Sequence, residues 1–175
     1  ADTTETAIVT NFSNHAFLLQ PYGVIQYDVA GYATRVNRIN ERMRATEMHY
    51  TQKVDNYSVE YSEPTYNYTD LKASQVARKP EMENYLALPK TLPDRVRTLA
   101  QEITKTSVSA YDKARAIERY FGRNGFVYDT KNVAIPEKDQ DYVDQFLFDT
   151  KAGYCDNFST AMVVMLRSVD IPARW

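Results

Sequence analysis

A chain of 175 residues that is 43% apolar and 25% charged, with only 5 glycines, can bury a core and has the composition of a folded globular protein. Its formal net charge of −2 and its scattered basic residues lack the electrostatic footprint of nucleic-acid binding, so we expect no nucleic-acid partner. No apolar stretch approaches the roughly 18 residues that a bilayer span requires, and no signal-peptide core is present. We therefore expect no transmembrane segment in this chain.

The first 85 residues predict a β-rich region. Residues 24–29 follow a Pro-Tyr-Gly turn and predict a short strand. Tyr57, Val59 and Tyr61 alternate with polar neighbours, which is the period of a half-buried strand.

Two parts of this region leave more than one interpretation open. Residues 31–49 fit either a helix or an edge strand. Tyr66 and Tyr68 continue the strand alternation. The tyrosines of the region could form a platform for sugars or peptides, but tyrosine is also simply favoured on half-buried strands, and we prefer that explanation. These tyrosines are Tyr50, Tyr57, Tyr61, Tyr66 and Tyr68.

Helical spacing begins after residue 90. Thr91 with Asp94 resembles a capping box, and Pro93 falls in the first turn, where its missing N–H costs little. The inner face of this helix is predicted to be Val96, Leu99, Ala100 and Ile103. A second helix is predicted to start near Ser109, again with an acid three residues on at Asp112. Its inner face is predicted to be Ala110, Ala114, Ile117 and Phe121.

The remaining elements lead to the clearest helix of the chain. Residues 126–128 predict a short strand, residues 129–140 a polar loop, and residues 142–148 a short helix that packs Val143, Phe146 and Leu147 inward. The last helix has an apolar stripe so wide that we expect it to be central and buried. That stripe consists of Phe158, Ala161, Met162, Met165, Leu166 and Val169. Pro172 disfavours helix for Ile171, so an extended segment should follow.

Cys155 is the chain's single cysteine, and it lies two residues after Gly153, directly before the last helix. A thiol at a helix N-terminus is close to unpaired N–H groups and to the positive end of the helix dipole, which favour the nucleophilic thiolate. The turn glycine, the helix N-terminus and the polar neighbours Asp156 and Asn157 together indicate a partly exposed, electropositive site. A buried structural cysteine is the alternative, because free cysteine is among the most buried residue types.

Three segments resemble the core motif of the transglutaminase-like superfamily: residues 153–161, 166–167 and 171–174. That motif runs G-x-C, an aromatic residue three positions on, an apolar helix with Leu-Arg, and then G-I-P-A-R. The resemblance covers about residues 85–175. Within the superfamily, these residues look most like the bacterial, extracytoplasmic branch. The first 85 residues are more weakly similar to the β-rich segment that precedes the core in membrane-anchored members.

The resemblance implies an α+β fold. Residues 1–85 would form the β-rich region, and residues 86–175 the helical half of a papain-like, transglutaminase-like core with the nucleophile on a central helix. It also implies a cysteine enzyme that attacks carboxamide or peptide bonds of proteins through a thioester, which an amine or water resolves. The substrate would be a protein or peptide at the cell surface. The protein would be extracytoplasmic and membrane-anchored at full length.

Cys155 is the residue that the resemblance identifies as the nucleophile, and its own N–H would help to hold the oxyanion. Tyr128 matches an upstream aromatic residue that in some relatives donates a hydrogen bond to the oxyanion. A packed strand tyrosine is the alternative for Tyr128.

Two features depart from the family pattern. Asp170 stands where the family has glycine before Ile-Pro-Ala-Arg, but aspartate tolerates the left-handed conformation, so we expect the turn to survive. The sequence ends at Trp175, where the family's first sheet strand begins, and the family's histidine and acid lie beyond that point. His15 and His49 are in the N-terminal region, and nothing in the sequence brings either to Cys155. We therefore expect a core truncated after the nucleophile helix, with little or no turnover.

Two other functions stay open: a non-catalytic cell-surface interaction domain that reuses the fold, and a cysteine peptidase or amidase. A metal site is not expected, because the two histidines are far apart, there is no second cysteine, and the acids of residues 137–141 look like a solvated loop. No glycine-rich phosphate loop occurs, and we expect no cofactor.

Overall fold

A computed structural model describes residues 3–10, 18–19, 21–30, 34–36, 43–45, 54, 56–63, 65–76 and 80–175. The chain divides into two compact units, residues 1–66 and 67–175. Strands make up the first unit and mainly helices the second, so the α+β class is confirmed. The domain division predicted at residues 85 and 86 stays a prediction. In the described part of the chain, no helix has the length and apolar character needed to span a bilayer.

An antiparallel sheet of three strands forms the centre of the first unit. Its order is β1 (Thr3–Thr10), β5 (Asn56–Glu63) and β2 (Val24–Asp28). Val59 of the central strand is fully buried, and Tyr57 donates its hydroxyl proton to the carbonyl of Leu19 at 2.7 Å. The strands predicted at residues 24–29 and around Tyr57 are thereby confirmed.

The ambiguous segment contains strand where the structure describes it. β3 (Thr34–Val36) and β4 (Met43–Ala45) pair with each other in antiparallel register. The expectation that Tyr66 and Tyr68 continue a strand is wrong, because β5 ends at Glu63 and Tyr68 begins the helix α1 (Tyr68–Ala73). The cause is local: the side chain of Asn67 accepts a hydrogen bond from the N–H of Asp70 at 2.8 Å and so caps the helix. Tyr50 lies outside the described residues.

Helices build the second unit around one core. After α1, its helical elements are a 3₁₀ helix (Pro80–Tyr85), α2 (Asp94–Thr104), α3 (Ala110–Arg123), α4 (Tyr142–Asp144), a π-helical turn (Gln145–Thr150) and α5 (Cys155–Arg167). The predicted apolar stripes meet in this core. Its buried members are Leu92, Val96, Ala100, Ile117, Phe121, Val143, Phe146, Leu147, Ala161, Met165 and Val169. The segment predicted as one short helix at residues 142–148 is thus α-helical at first and π-helical afterwards.

The two predicted capping boxes have different outcomes. The box at Thr91 is wrong: α2 begins at Asp94 after Pro93, and no side chain caps it. At Ser109 the N-cap is confirmed, since its Oγ accepts from the N–H of Asp112 at 3.1 Å. The carboxylate of Asp112 accepts from this same Oγ at 2.9 Å, whereas in a full capping box it would accept from the Ser109 N–H.

Ser109→Ala is expected to lower the free energy of unfolding by about 1 kcal/mol, because it leaves the first turn of α3 without its side-chain acceptor. Urea titration followed by circular dichroism measures this change. Thr106→Ala, at an exposed position just before the helix, is the control and should change stability by less than about 0.5 kcal/mol. Equal effects of the two substitutions would contradict the capping role.

The C-terminus of α5 closes in a Schellman motif. Asp170 has a φ of 64°, the left-handed conformation expected for the residue that replaces glycine. Its N–H donates to the carbonyl of Arg167 at 3.2 Å, and the N–H of Ile171 donates to the carbonyl of Leu166 at 3.0 Å. The turn therefore survives the departure from glycine, and the chain leaves the helix in a fixed direction.

Candidate active site

Cys155 is the first residue of α5, and its side chain is exposed. The helix that it begins packs against α2, α3 and α4, and Ala161 and Met165 are fully buried. The thiol thus lies at the surface end of a helix that is fixed in the core. This exposure contradicts the alternative of a buried structural cysteine.

The backbone before the cysteine is held by a close contact between Gly153 and Asn157. A Cβ atom on Gly153 would come within 2.4 Å of Cγ and Oδ1 of Asn157. Asn157 is only 3% exposed, and its Oδ1 accepts a hydrogen bond from the N–H of Tyr154 at 3.1 Å. Glycine is therefore required at this position by the approach of another side chain.

The first turn of α5 presents N–H groups without intrahelical acceptors. The N–H groups of Asn157 and Phe158 donate to the carbonyl of Tyr154 at 3.0 and 3.2 Å. Those of Cys155 and Asp156 precede any intrahelical acceptor, and no hydrogen bond within the described part of the chain uses them. Two free N–H groups at the positive end of a helix favour a negative charge beside them.

A short parallel ladder brings Tyr128 to the cysteine segment. β6 (Val127–Tyr128) pairs with β7 (Ala152–Gly153), so that Tyr128 lies opposite Gly153. The Tyr128 ring stacks on Phe158, with 6.1 Å between ring centroids and 20° between ring planes, while 64% of the residue stays exposed. The predicted strand at residues 126–128 is confirmed for its last two residues, and the role of Tyr128 stays a prediction.

A carboxylate lies beside the thiol, and Tyr142 lies within electrostatic range of it. The Sγ atom of Cys155 lies 3.8 Å from Oδ1 of Asp156. Burial raises the pKa of Tyr142, and the nearby Tyr154, Asp156 and Cys155 groups raise it further. Tyr142 therefore interacts electrostatically with the cysteine segment, although it comes from α4.

The guanidinium of Arg167 joins the far end of α5 to two other segments. Its Nε and Nη2 atoms donate to the carbonyl of Ala173 at 2.8 and 2.6 Å, and Nη1 donates to the carbonyl of Ala87 at 2.8 Å. The N–H of Ala173 in turn donates to the carbonyl of Tyr85 at 3.0 Å. Burial lowers the pKa of Arg167, so the charge is held at a desolvation cost that these carbonyls offset.

Both histidines, His15 and His49, lie outside the described residues, so the expectation that neither reaches Cys155 stays a prediction. Sequence patterns also missed the contacts of Asn157 and Arg167. For Asn157, the G-x-C-x-Asn spacing was a usable signal, since a polar residue at the third position of a helix can accept from the N–H before the helix.

Three comparisons with known proteins bear on this arrangement. Residues 97–175 match the sequence profile of the Transglutaminase-like superfamily. These residues belong to the transglutaminase-like superfamily. The transglutaminase-like core thus includes α2 to α5, the cysteine and the Ile-Pro-Ala-Arg segment.

Two curated proteins are similar to the chain. It is 45% identical over 161 residues to the protein YebA of Bacillus subtilis (strain 168), a match that covers 90% of this chain and 21% of YebA. It is 34% identical over 104 residues to a protein-glutamine gamma-glutamyltransferase of Pseudomonas aeruginosa, which covers 59% of this chain and 15% of that enzyme. The chain therefore spans about a fifth or less of the length of these relatives.

Two crystal structures share the fold. Both are of the periplasmic domain of TgpA from Pseudomonas aeruginosa, one of them bound to ethylmercury, with TM-scores of 0.64 and 0.63. Each match covers 98% of this chain at 23% identity, and it covers 54% and 56% of the solved chains. At this identity the likeness establishes the fold of the transglutaminase-like core and nothing finer.

Proposed function

We propose that Cys155 is the nucleophile of a transglutaminase-like cysteine enzyme that acts on carboxamide or peptide bonds of protein substrates. The thiolate attacks the carbonyl carbon, the carbon–nitrogen bond breaks, and ammonia or an amine leaves with a proton. The acyl group stays on sulfur as a thioester until an amine or water takes it and restores the thiol. The observation that carries this proposal is an exposed thiol at the first position of a core-anchored helix.

The free N–H groups beside the thiol suit the charge that this reaction develops. The tetrahedral intermediate carries a negative oxygen, and N–H donors fixed before the reaction stabilise it without reorganisation. The N–H of Cys155 is one candidate donor, since no described group accepts from it. The Tyr128 hydroxyl is a second candidate, because the β6–β7 pairing holds this residue opposite Gly153.

Turnover also requires a general base that removes the thiol proton, and in this chemistry the base is an imidazole. No histidine belongs to the described residues. Without such a base beside Cys155, these 175 residues would accept an activated acyl group slowly and show little or no turnover on unactivated carboxamides.

The substrate and the location are proposed from the relatives. One relative is named as a protein-glutamine gamma-glutamyltransferase, which supports a protein substrate. The structural relative is a periplasmic domain, which supports a site of action outside the cytoplasm. Membrane anchoring of the full-length protein stays a prediction.

Acylation by p-nitrophenyl acetate tests the nucleophile, because its good leaving group makes the step less dependent on a base. We expect one acetyl group per chain on Cys155 by mass spectrometry, removed by hydroxylamine as a thioester is. Cys155→Ser is the control and should lose this thioester. Added primary amine should then release the acetyl group as an amide, whereas release only as acetate would favour a hydrolase.

Two results would contradict the proposal. If Cys155 reacts with a small disulfide reagent yet forms no thioester, the chain is better explained as an interaction domain that keeps the fold. If the 175-residue chain incorporates an amine into a glutamine-containing protein over many turnovers, the expectation of little turnover is wrong.

A further inference from the structure

The carboxylate of Asp156 lies beside the candidate nucleophile and takes no part in the bond changes of the proposed reaction. Asp156 directly follows Cys155, is half-buried, and places Oδ1 3.8 Å from Sγ. No ion pair within the described part of the chain neutralises its carboxylate. Lys151, which precedes the helix, contacts the carbonyl of Asn124 and the Phe126 ring with its Nζ. Asp156 therefore places a negative charge beside the thiol.

Aromatic residues also lie near the cysteine. Tyr142 from α4 lies close enough to Tyr154, Asp156 and Cys155 to interact with them electrostatically. The exposed Tyr128 ring stacks on Phe158, one helical turn beyond the cysteine. Carboxylates and the faces of aromatic rings are the groups that attract an ammonium or guanidinium ion. The same groups repel a carboxylate or sulfonate.

We propose that Asp156 is a specificity-determining residue, whose carboxylate makes the Cys155 site favour reactants with a positive charge close to the reacting bond and disfavour anionic ones. The preferred ligand class is a cationic peptide or amine, over an acidic one. This inference rests on the proposed role of Cys155 as a reactive nucleophile. The carboxylate of Asp156 acts through its electrostatic field, and the bonds that form and break are those at the Cys155 sulfur.

Charged methanethiosulfonates of similar size measure this preference on the 175-residue chain. The Cys155 sulfur attacks the sulfenyl sulfur of the reagent, a disulfide forms, methanesulfinate leaves with the bonding electrons, and the thiol proton goes to buffer. The cationic reagent carries a trimethylammonioethyl group and the anionic one a sulfonatoethyl group. The ratio of their rate constants is the readout, because any change in the thiol itself affects both reagents and cancels.

We expect the wild-type chain to react faster with the cationic reagent. In Asp156→Asn the ratio should fall on the order of tenfold at low ionic strength, and the wild-type ratio should shrink as salt screens the charge. Asp156→Glu keeps the charge and should keep most of the preference. Asp139→Asn is the matched control: Asp139 is exposed, has a φ of 70° that asparagine also tolerates, and should leave the ratio unchanged.

The neutral methyl methanethiosulfonate separates the two ways of failing. If it labels Cys155 in wild type and in Asp156→Asn at similar rates, the thiol is accessible and the variant is folded. An unchanged cation-to-anion ratio in Asp156→Asn then overturns the selectivity, whereas the role of Cys155 survives. If the neutral reagent does not label Cys155 at all, the proposed function fails, and this inference fails with it.

Discussion

Gly153→Ala is expected to destabilise the second unit by about 3 kcal/mol. The new Cβ atom would lie 2.4 Å from Cγ and Oδ1 of Asn157, well inside van der Waals contact. Asn157 is buried and cannot turn away without losing its hydrogen bond to the N–H of Tyr154. The cost thus combines overpacking, about 1–3 kcal/mol, with a weakened bond to a backbone donor, about 1–3 kcal/mol. Urea unfolding followed by circular dichroism measures it.

Gly122→Ala is the matched control for this substitution. Gly122 lies in α3, and a Cβ atom added there meets nothing within 4 Å. Alanine is the better helix former, so this change should be neutral or stabilising by up to about 1 kcal/mol. A similar loss of stability at both glycines would show that the contact with Asn157 is not the cause.

A double-mutant cycle with Asn157→Ala isolates the contact. Asn157→Ala alone removes the acceptor of the Tyr154 N–H and should itself destabilise. With that side chain absent, Gly153→Ala no longer clashes, so its cost should fall by at least about 1 kcal/mol. Strictly additive losses would contradict the clash. The same substitutions should alter the labelling rate of Cys155, because residues 153 and 154 set the position of the thiol.

Much of the second unit follows from sequence patterns because its apolar spacing is regular. The stripes of α2 and α3 meet in the core as expected, with Val96 and Ile117 fully buried. The Thr91 capping box failed because such a motif requires a backbone geometry that spacing does not determine. The strand predicted at Tyr68 was wrong for a related reason, because the Asn67 cap starts a helix where the alternation of side chains alone predicts a strand.

The candidate site was only partly readable from the sequence. The glycine, the lone cysteine and the helix pattern placed Cys155 at a helix start, and the structure places it there as an exposed residue. The approach of Tyr142 from α4 depends on packing between elements that are distant in sequence, so no local pattern indicates it. Asn157 was partly predictable. Its hydrogen bond to the helix start follows from local sequence spacing, whereas its close contact with Gly153 depends on the distance between the two residues in the folded chain.

The contacts of Arg167 give a physical explanation for the Leu-Arg and Ile-Pro-Ala-Arg segments of the motif. The three hydrogen bonds of its guanidinium hold the carbonyls of Ala173 and Ala87 together. A planar fork of donors suits this arrangement, whereas the single ammonium of lysine does not reproduce it. The residue therefore fixes the path of the chain after the nucleophile helix.

Arg167→Ala is expected to lower the free energy of unfolding of the second unit by about 2–4 kcal/mol, since hydrogen bonds from a charged donor each contribute about 1.5–3 kcal/mol and water replaces part of the loss. Lysine at this position, in Arg167→Lys, should recover less than half of the free energy of unfolding that Arg167→Ala loses. Arg119→Ala, an exposed position of α3, is the control and should cost less than about 0.5 kcal/mol.

Hydrogen exchange at the Ala173 N–H gives a local readout of the same change. This N–H donates to the carbonyl of Tyr85 at 3.0 Å, and that bond depends on Arg167 holding residue 173 in place. Exchange at Ala173 should therefore accelerate in Arg167→Ala by more than exchange at amides in the middle of α3. Uniform acceleration throughout the second unit would mean that Arg167 contributes only to global stability and does not set the path of the chain that leaves α5.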